Sequence, residues 1–280
     1  MKIPFTKMHG TGNDFVVIDA RKGTAAAGRL ATHEACRNAA LFLCDRRFGV
    51  GADQVLLLRD SDRADFRMEI FNADGSEVEM CGNGIRCFAR YIWDRGLSGK
   101  DTLEVETLAG IIRPGKDEDL VRVDMGEPIL DGPAIPVNIE GRVMDRPISI
   151  DGREFLMTCV SMGNPHAVIF VDDVAGFPVT EVGPKIENHS LFTKRTNVEF
   201  VQIVSRDEVS MRVWERGSGE TLACGTGACA TVVASILKGF TNREVTVRLS
   251  GGALRIAWGA DNRVIMSGPA VEVFEGSIEI

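Results

Sequence analysis

The sequence has neither an excess of positive charge nor a long apolar stretch. Its 280 residues carry 32 basic and 40 acidic side chains, for a net charge of −8. Nucleic acids and anionic membranes select basic surfaces, so neither is an expected partner. No stretch approaches the roughly 20 apolar residues that a membrane-spanning helix needs. The first residues, Met-Lys-Ile-Pro-Phe-Thr-Lys, lack the apolar run of a secretory signal. We therefore expect a cytoplasmic protein.

The usual signatures of cofactor chemistry are also missing. The seven cysteines include no Cys-X-X-Cys pair and the four histidines have no ligand spacing, which argues against zinc. We find no phosphate-binding loop and no lysine context typical of a pyridoxal enzyme. Gly10-X-Gly12 and Gly82-X-Gly84 are incomplete fragments of a dinucleotide motif. The sequence therefore predicts neither a metal nor an organic cofactor.

What the chain does contain is an internal repeat. The stretch from Met68 to Cys81-Gly-Asn-Gly resembles the stretch from Met211 to Cys224-Gly-Thr-Gly, at an offset of 143 residues. Two upstream matches keep the same order: Asp53-Gln54-Val55 with Thr196-Asn197-Val198 at offset 143, and Gly12-Asn13 with Gly163-Asn164 at offset 151. The alternative to duplication is two unrelated strand–turn–helix units with similar turn chemistry.

A duplication predicts two domains of similar size. Pro128, Pro133 and Pro136 crowd one stretch, which suits a linker better than a central strand. We place the domains at 1–125 and 126–270. The alternating segment 271–280 is predicted to be a strand that returns to the first domain.

The remaining pattern is that of an α+β protein in which strands dominate. Short runs rich in β-branched and aromatic residues predict strands at Phe15–Ile18, Gln54–Leu58, Phe66–Phe71, Leu103–Glu106, Leu120–Val123, Ala167–Phe170, Val198–Val204, Ser210–Trp214, Glu244–Leu249 and Leu254–Trp258. Helices are predicted at Leu30–Arg46 and after each Cys-Gly-X-Gly turn.

The helix after each turn has its own pattern. In the first, Ile85, Phe88 and Ile92 recur at helical spacing, while Arg86 is placed on another face. The second, Ala228–Lys238, is apolar nearly all round and should be buried. A strongly curved, mostly antiparallel sheet wrapped around this central helix would bury it.

The two cysteines of the repeat stand at the starts of these helices. The residue between the glycines, Asn83 or Thr226, is a good N-cap type. Backbone N–H groups and the helix dipole favour an anion there. Two anions are candidates: the cysteine thiolate itself, with its pKa lowered by the dipole, or a substrate carboxylate.

Two opposed thiols suit the inversion of a stereocentre. Symmetric duplication would place Cys81 and Cys224 facing each other across a domain cleft. There a thiolate removes a proton from one face of a carbon while a thiol supplies one to the other. A redox dithiol is the competing reading of the same pair. The other cysteines are predicted to be buried structural residues: Cys36, Cys44, Cys87, Cys159 and Cys229.

The sequence resembles the diaminopimelate epimerase family. The motifs that carry the resemblance span nearly the whole chain: His9-Gly-Thr-Gly-Asn-Asp-Phe15, Gly49-Val-Gly-Ala-Asp-Gln54, Phe71-Asn-Ala-Asp-Gly-Ser76, Met80-Cys-Gly-Asn-Gly84, Gly163-Asn-Pro-His166, Thr196-Asn-Val198, Trp214-Glu-Arg216 and Ala223-Cys-Gly-Thr-Gly-Ala228. Related proline racemases share the two Cys-Gly motifs but lack the Asn-Ala-Asp-Gly-Ser context. Phenazine-type isomerases lack the cysteine pair.

The resemblance implies a cofactor-independent isomerase that interconverts LL- and meso-2,6-diaminopimelate, in lysine and peptidoglycan precursor biosynthesis. It implies two pseudo-symmetric domains that close over the substrate, and a homodimer. A different amino-acid racemase is the alternative within this class. The resemblance makes Cys81 and Cys224 the acid/base pair. It assigns substrate binding to Asn13, Gln54, Asn72, Gly82, Asn83, Asn164, Asn197, Glu215, Arg216, Gly225 and Thr226. His166, which follows Pro165, is our own candidate for an auxiliary residue, either to tune a thiol or to orient the local structure.

One pair of these residues poses a geometric problem. Neighbouring residues of a strand point to opposite faces, so Glu215 and Arg216 cannot both reach one ligand from a regular strand. We expect the strand to end or bulge there, with Gly217 permitting it. Asp14 and Asp74 are expected to form turns.

Overall fold

The computed structural model describes residues 2–280, so only Met1 of the predicted first domain lies outside the described residues. The chain divides into two compact units. One contains the chain up to Val123 together with Gly268–Ile280, and the other contains Asp124–Ser267. Among the described residues, no helix is long and apolar enough to cross a membrane.

The first unit is built on a seven-stranded sheet in the order β18-β1-β2-β3-β4-β5-β6. Its strands are β1 Lys2–Gly10, β2 Asn13–Asp19, β3 Gln54–Arg59, β4 Phe66–Asn72, β5 Val105–Thr107, β6 Gly110–Ile112 and β18 Val271–Glu279. β2 and β3 are parallel, as are β4 and β5, and the other neighbours are antiparallel. A hairpin of β7 Gly115–Asp117 and β8 Leu120–Asp124 follows.

The second unit repeats this arrangement. Its strands are β9 Arg146–Ile150, β10 Arg153–Ser161, β11 Pro165–Phe170, β12 Asn197–Ser205, β13 Glu208–Glu215, β14 Gly219–Thr221, β15 Glu244–Leu249, β16 Gly252–Trp258 and β17 Val264–Gly268. They lie in the order β9-β10-β11-β12-β13-β15-β16-β17, with β14 paired to β13. β11 and β12 are parallel, as are β13 and β15.

The two units are therefore copies of one topology, which confirms the predicted duplication and the α+β class. In the first, Phe15 pairs with Gln54 across parallel strands; in the second, His166 pairs with Asn197 in the same way. These are the positions that the offsets of 151 and 143 residues relate. Two unrelated units would have no reason to share strand order, direction and register.

Each unit also carries two helices at matching places. They are α1 His33–Leu43, α2 Gly82–Asp94, α3 Val179–Glu187 and α4 Gly225–Leu237. α1 is shorter than the predicted Leu30–Arg46, because Thr32 caps its start by accepting from Ala35 N–H and Cys44 ends it. α4 begins three residues before the predicted start.

The helices that follow the cysteines lie in the cores of their units. α2 packs against β1, β2, β3 and β18, and α4 packs against β10, β11, β12, β15 and β16. Ile85, Phe88 and Ile92 are fully buried, as predicted, and α4 is buried nearly all round. Arg86 is the exception to the prediction, because it too is fully buried, where its guanidinium donates to Gly82 O and Pro269 O.

Eight elements escaped the prediction, namely β1, β6, β7, β9, β10, β14, β17 and α3. For β1 and α3 the reason is identifiable. β1 contains Pro4, which usually argues against a strand. Here Pro4 lies beyond the stretch that pairs with β2, so it faces a neighbour on the β18 side only. α3 contains Gly183 and Pro184, both poor helix formers. A Cβ at Gly183 would lie 2.6 Å from Trp214, so packing of the indole requires glycine there.

Candidate active site

In the first unit, three of the predicted binding residues lie at one edge of the sheet. Asn13 begins β2, Gln54 begins β3 and Asn72 ends β4. Because β2 and β3 run parallel and β4 runs antiparallel to them, these ends meet. Gln54 Nε2 donates to Asn72 Oδ1 at 2.8 Å. The edge thus presents a row of carboxamides.

The first turn of α2 reaches the same edge. Cys81 itself is the N-cap, with extended backbone angles (φ −138°, ψ 118°), and its Sγ accepts from Gly84 N–H at 3.4 Å. The prediction that Asn83 is the N-cap is therefore wrong. Asn83 lies inside the first turn, and its Nδ2 donates to Asn13 Oδ1 at 3.2 Å. Cys81 Sγ lies 3.6 Å from that same oxygen.

Asn13 is held by an ionic group that the sequence did not reveal. Its Nδ2 donates to Asp53 Oδ2 at 2.8 Å, so its Oδ1 is turned towards Cys81 and Asn83. Arg46 donates to Asp53 and also binds Asp14. Asp53 is thus the residue that fixes the orientation of this carboxamide.

Asp14 belongs to this ionic group and does not form a turn, contrary to the prediction. It lies in β2 and pairs with both Lys7 and Arg46. Burial alone would raise the pKa of Asp14, but hydrogen bonds from Arg46 and Lys7 outweigh it and hold that pKa well below its usual range. Asp74, in contrast, does form a turn, because its carboxylate accepts from the backbone and hydroxyl of Ser76.

The second unit presents the matching edge. Asn164 directly precedes β11, Asn197 begins β12 and Glu215 ends β13. Asn197 Nδ2 donates to Pro165 O at 2.8 Å, and Asn197 Oδ1 accepts from the backbone N–H of Arg216 at 3.0 Å. The buried amide of Asn197 thus ties two strand ends together.

Glu215 and Arg216 lie where the strand ends, as predicted. β13 stops at Glu215, and Gly217 has φ +77°, a conformation that glycine adopts readily. The Glu215 carboxylate accepts from Thr221 Oγ1. Arg216 is exposed, and its Nη1 donates to Lys194 O at 3.1 Å. The break in the strand frees the two side chains from the alternation that would separate them.

Cys224 is the N-cap of α4, so the prediction of Thr226 at that position is also wrong. Its Sγ lies 3.5 Å from Thr226 Oγ1. Only 5% of Cys224 is exposed, and burial raises the pKa of its thiol well above the ordinary value, with the nearby carboxylates of Glu215 and Glu199 adding to the effect. The prediction that the helix dipole lowers the pKa of the thiol is therefore wrong for Cys224.

A buried pair lies next to Cys224. His166 Nδ1 and Glu199 Oε1 are 2.6 Å apart, both side chains are fully buried, and His166 Nε2 lies 3.0 Å from Asn164 Oδ1. A Cβ at Gly227 would lie 2.6 Å from Glu199 Oε1, so glycine is required for this approach. Glu199 was not predicted, although a charge within the apolar run Val198-Glu-Phe-Val201 is a recognisable signal.

Both helix starts offer backbone donors beside a thiol. In α2 the first intrahelical bond runs from Ile85 N–H to Cys81 O, and in α4 it runs from Ala228 N–H to Cys224 O. The earlier amides, at Gly82, Asn83, Gly225 and Thr226, thus have no intrahelical partner and suit an anion. Each unit therefore combines a sulfur atom, a helix start that suits an anion and a sheet edge with carboxamide side chains.

The other cysteines are buried, as predicted: Cys36, Cys44, Cys87, Cys159 and Cys229. Burial raises the pKa of Cys87 to about 12, so this residue is a packing thiol and not a nucleophile. Within residues 2–280 no group of three or more His, Cys, Asp or Glu side chains is arranged to hold a metal ion.

Comparison with known proteins finds relatives that match nearly the whole chain. The sequence profile of a family described as "Diaminopimelate epimerase" matches residues 5–130 and 158–273. The chain is 54% identical, over 283 aligned residues, to the diaminopimelate epimerase of Moorella thermoacetica, and the alignment covers 99% of each chain.

Solved structures share the fold at low sequence identity. A phenazine biosynthesis protein of the PhzF family from Enterococcus faecalis superimposes with a TM-score of 0.72 at 16% identity, over 100% of each chain. A hydroxyproline epimerase from Agrobacterium vitis gives a TM-score of 0.69 at 14% identity, over 99% of this chain and 91% of the other. At such identities the likeness shows the fold alone.

Proposed function

The chain belongs to the diaminopimelate epimerase family, and we propose that it interconverts LL- and meso-2,6-diaminopimelate by proton transfer at an α-carbon. We assign the two proton-transfer roles to Cys81 and Cys224. The observation that carries the proposal is that both cysteines are N-caps of topologically equivalent helices. Each sulfur thus lies beside amides that suit the carboxylate of the reacting centre.

The unequal environments suggest which thiol acts first. Cys224 is buried and its pKa is raised, so it enters as the neutral acid. Cys81 is more exposed and enters as the thiolate base, with Gly84 N–H donating to its sulfur. The Cys81 thiolate takes the α-proton, and the Cys224 thiol gives its proton to the opposite face. The turnover leaves Cys81 as thiol and Cys224 as thiolate, the form from which the reverse reaction starts.

Carbanion stabilisation is the main chemical demand. A carbon–hydrogen bond next to an ammonium group is weakly acidic, so negative charge must be spread onto the α-carboxylate. We propose that the amides of Gly82, Asn83, Gly225 and Thr226 donate to that carboxylate, since fixed donors need no reorganisation during the reaction. No metal or pyridoxal is required in this scheme.

The non-reacting end of the substrate carries its own ammonium and carboxylate. We propose that Arg216 binds this distal carboxylate and that Glu215 binds the distal ammonium. The carboxamides of Asn13, Gln54, Asn72, Asn164 and Asn197 both donate and accept, which suits a zwitterion. Glu215 stands at the end of its strand, where its side chain can turn towards a ligand.

The family likeness suggests the setting of this chemistry. We propose that the two units are the epimerase domains, at 1–125 with 271–280 and at 126–270, and that each contributes one cysteine to the reaction. We further propose a cytoplasmic homodimer. These statements rest on the resemblance of the motifs and on the absence of basic and long apolar stretches from the sequence.

Incubation of the purified protein with LL-diaminopimelate in D₂O tests the proposal. We expect meso product, and deuterium at one α-carbon, without any electron acceptor. No conversion of diaminopimelate alongside racemisation of another amino acid would identify a different racemase. Dithiol–disulfide turnover with no isotope exchange would identify a redox protein.

A further inference from the structure

The buried His166–Glu199 pair contacts a predicted binding residue. The chain of contacts runs from Glu199 Oε1 to His166 Nδ1 at 2.6 Å, and from His166 Nε2 to Asn164 Oδ1 at 3.0 Å. Glu199 and His166 are fully inaccessible, whereas Asn164 is half-buried at the edge of the sheet. The chain thus leads from the core of the second unit to its proposed binding surface.

We propose that Glu199 is a positioning residue, which holds the His166 ring so that Nε2–H donates to Asn164 and turns the carboxamide nitrogen of Asn164 towards the substrate. This inference rests on the proposed function. It adds a residue that does not reach the edge of the sheet where Asn164, Asn197 and Glu215 lie.

The hydrogen-bond partners of His166 define which of its ring nitrogens carries a hydrogen. Asn164 Oδ1 is an acceptor only, so the nitrogen facing it carries a hydrogen. One further proton lies between Nδ1 and Glu199 Oε1, whichever atom holds it. Burial raises the pKa of the Glu199 carboxyl, against the lowering effect of His166. Glu199 Oε2 has no hydrogen-bond partner among the described residues, so Oε1 is the oxygen through which the carboxyl acts.

The surrounding structure positions Glu199. Gly227 leaves room for Glu199 against the first turn of α4, because a Cβ there would lie 2.6 Å from Oε1. Glu199 lies in β12, paired with Val213 on one side and Val168 on the other. The backbone of Glu199 is thus fixed by two neighbouring strands, and its carboxyl is confined between His166 and the first turn of α4.

The first unit orients its corresponding carboxamide in a different way. Asn13, the counterpart of Asn164, is oriented by Asp53 at the rim, and the positions equivalent to His166 and Glu199 are Phe15 and Leu56. A buried ionisable pair is costly unless it is well hydrogen-bonded. A positioning role explains why the buried pair occurs only in the second unit, where it contacts Asn164.

Steady-state kinetics on diaminopimelate test the inference. Glu199→Leu places the first-half residue in the second half and removes the hydrogen bond to His166. We expect KM to rise about tenfold, the effect of one lost hydrogen bond, with a smaller change in kcat. Glu199→Gln should stay within about threefold of wild type, because an amide N–H can donate to Nδ1 and keep the ring state. Thr231→Val, an isosteric change at a fully buried site on α4, is the control and should be unchanged.

A double-mutant cycle with Asn164→Ala separates positioning from other roles. If Glu199 acts through Asn164, Glu199→Leu should add little in the Asn164→Ala background. Additive effects would overturn the proposal. So would a Glu199→Leu variant whose KM is unchanged while kcat falls, because that pattern indicates an effect on Cys224.

A measurement on the wild-type protein without substrate depends neither on the folding of a variant nor on the proposed function. In ¹⁵N NMR spectra of the wild-type protein, with His166→Asn used for assignment, His166 should show a protonated Nε2. A bare Nε2 would overturn the inference even if epimerisation is observed. The wild-type assay on diaminopimelate independently decides the proposed function.

Discussion

The residues that pack beneath the first turn of α2 are apolar, whereas an ionisable residue packs beneath the first turn of α4. A Cβ at Gly84 would lie 3.3 Å from Leu56 and 3.4 Å from Phe15; a Cβ at Gly227 would lie 2.6 Å from the Glu199 carboxylate. The strand register shows that these residues occupy equivalent positions in the two units. The duplicated backbone therefore supports two unlike electrostatic settings for the same residue type.

This difference bears on the opposite roles that we propose for the two identical side chains. Two thiols in equal surroundings would lose protons at the same pH, and neither would be fixed as the acid. Here Glu199 and Glu215 add negative charge near Cys224, and burial acts in the same direction. Cys81 is more exposed. The asymmetry thus biases one sulfur towards the thiol form.

The strand ends differ as well. Asn72 and Ala73 occupy the positions that Glu215 and Arg216 occupy in the second unit. At these equivalent strand ends the second unit therefore carries two charged side chains, while the first carries a carboxamide and an alanine. The predictions below test how far these differences matter, from the largest expected effect to the smallest.

Removal of either cysteine sulfur should have the largest effect. Cys81→Ala and Cys224→Ala should each reduce epimerisation by at least about a thousandfold, the range expected for loss of a positioned acid or base. Either variant could still exchange one α-proton, because one sulfur remains. The conversion of LL- to meso-diaminopimelate is the measurement. Cys87→Ala is the control within α2, and activity close to wild type in either test variant would remove that cysteine from the mechanism.

Loss of the positive charge of Arg216, at the end of β13, should have the second largest effect. Arg216→Leu should lower kcat/KM about ten- to a hundredfold, because a hydrogen bond between charged groups contributes about 1.5–3 kcal/mol. It should not create comparable activity on lysine, because the leucine adds no group that binds the lysine side chain. Arg248→Leu, at an exposed pair with Glu208 on β15, is the matched control. Full efficiency in Arg216→Leu would mean that the distal carboxylate is bound elsewhere.

Alkylation should distinguish the two sulfurs directly. Iodoacetamide at pH 7.5 should modify Cys81 at least about tenfold faster than Cys224, because reaction requires an accessible thiolate. Only 5% of Cys224 is exposed, and its pKa is raised. Peptide mass spectrometry over time gives both rates in one sample. Equal rates, or faster labelling of Cys224, would contradict the proposed starting state.

The smallest effect concerns acid stability of the first unit. The pKa of Asp14 is lowered in the folded protein, so its stabilisation is present above the unfolded value of about 3.9 and is lost as pH falls towards the folded value. Asp14→Asn should lower Tm at pH 7 by on the order of a few degrees and reduce the further loss at pH 3. Thermal unfolding at both pH values is the measurement.

A control in the second unit sharpens this test. Asp151→Asn removes an exposed ion pair with Lys185, which should contribute little. If both variants respond to acid alike, the ionic group at Asp14 has no special role in the first unit.

Much of the architecture was predictable because the repeat is strong. Strands with dense β-branched residues and the two helices after the Cys-Gly-X-Gly turns were located from periodicity alone. The elements that were missed are β1, β6, β7, β9, β10, β14, β17 and α3. In β1, tertiary pairing accommodates Pro4 at a one-sided position, and in α3, Trp214 packs against Gly183. Local propensity does not register such contacts.

The candidate site divides in the same way. Its cysteines and carboxamides were found from motifs, and the strand break at Glu215 followed from the alternation of side chains. The N-caps were assigned to Asn83 and Thr226 from residue preference, whereas the extended backbone places Cys81 and Cys224 there. The raised pKa of Cys224 and the pairing of Glu199 depend on burial, which no short motif contains.

The pairing of β18 with β1 has a consequence for synthesis of the chain. β18 follows the whole of the second unit in sequence, yet it completes the sheet of the first. Asp124–Ser267 is continuous and could fold as soon as it emerges from the ribosome. The first unit must wait with an unpaired strand edge until β18 arrives. The half of the molecule made first is therefore the half finished last, and its incomplete edge is the place where a nascent chain needs protection.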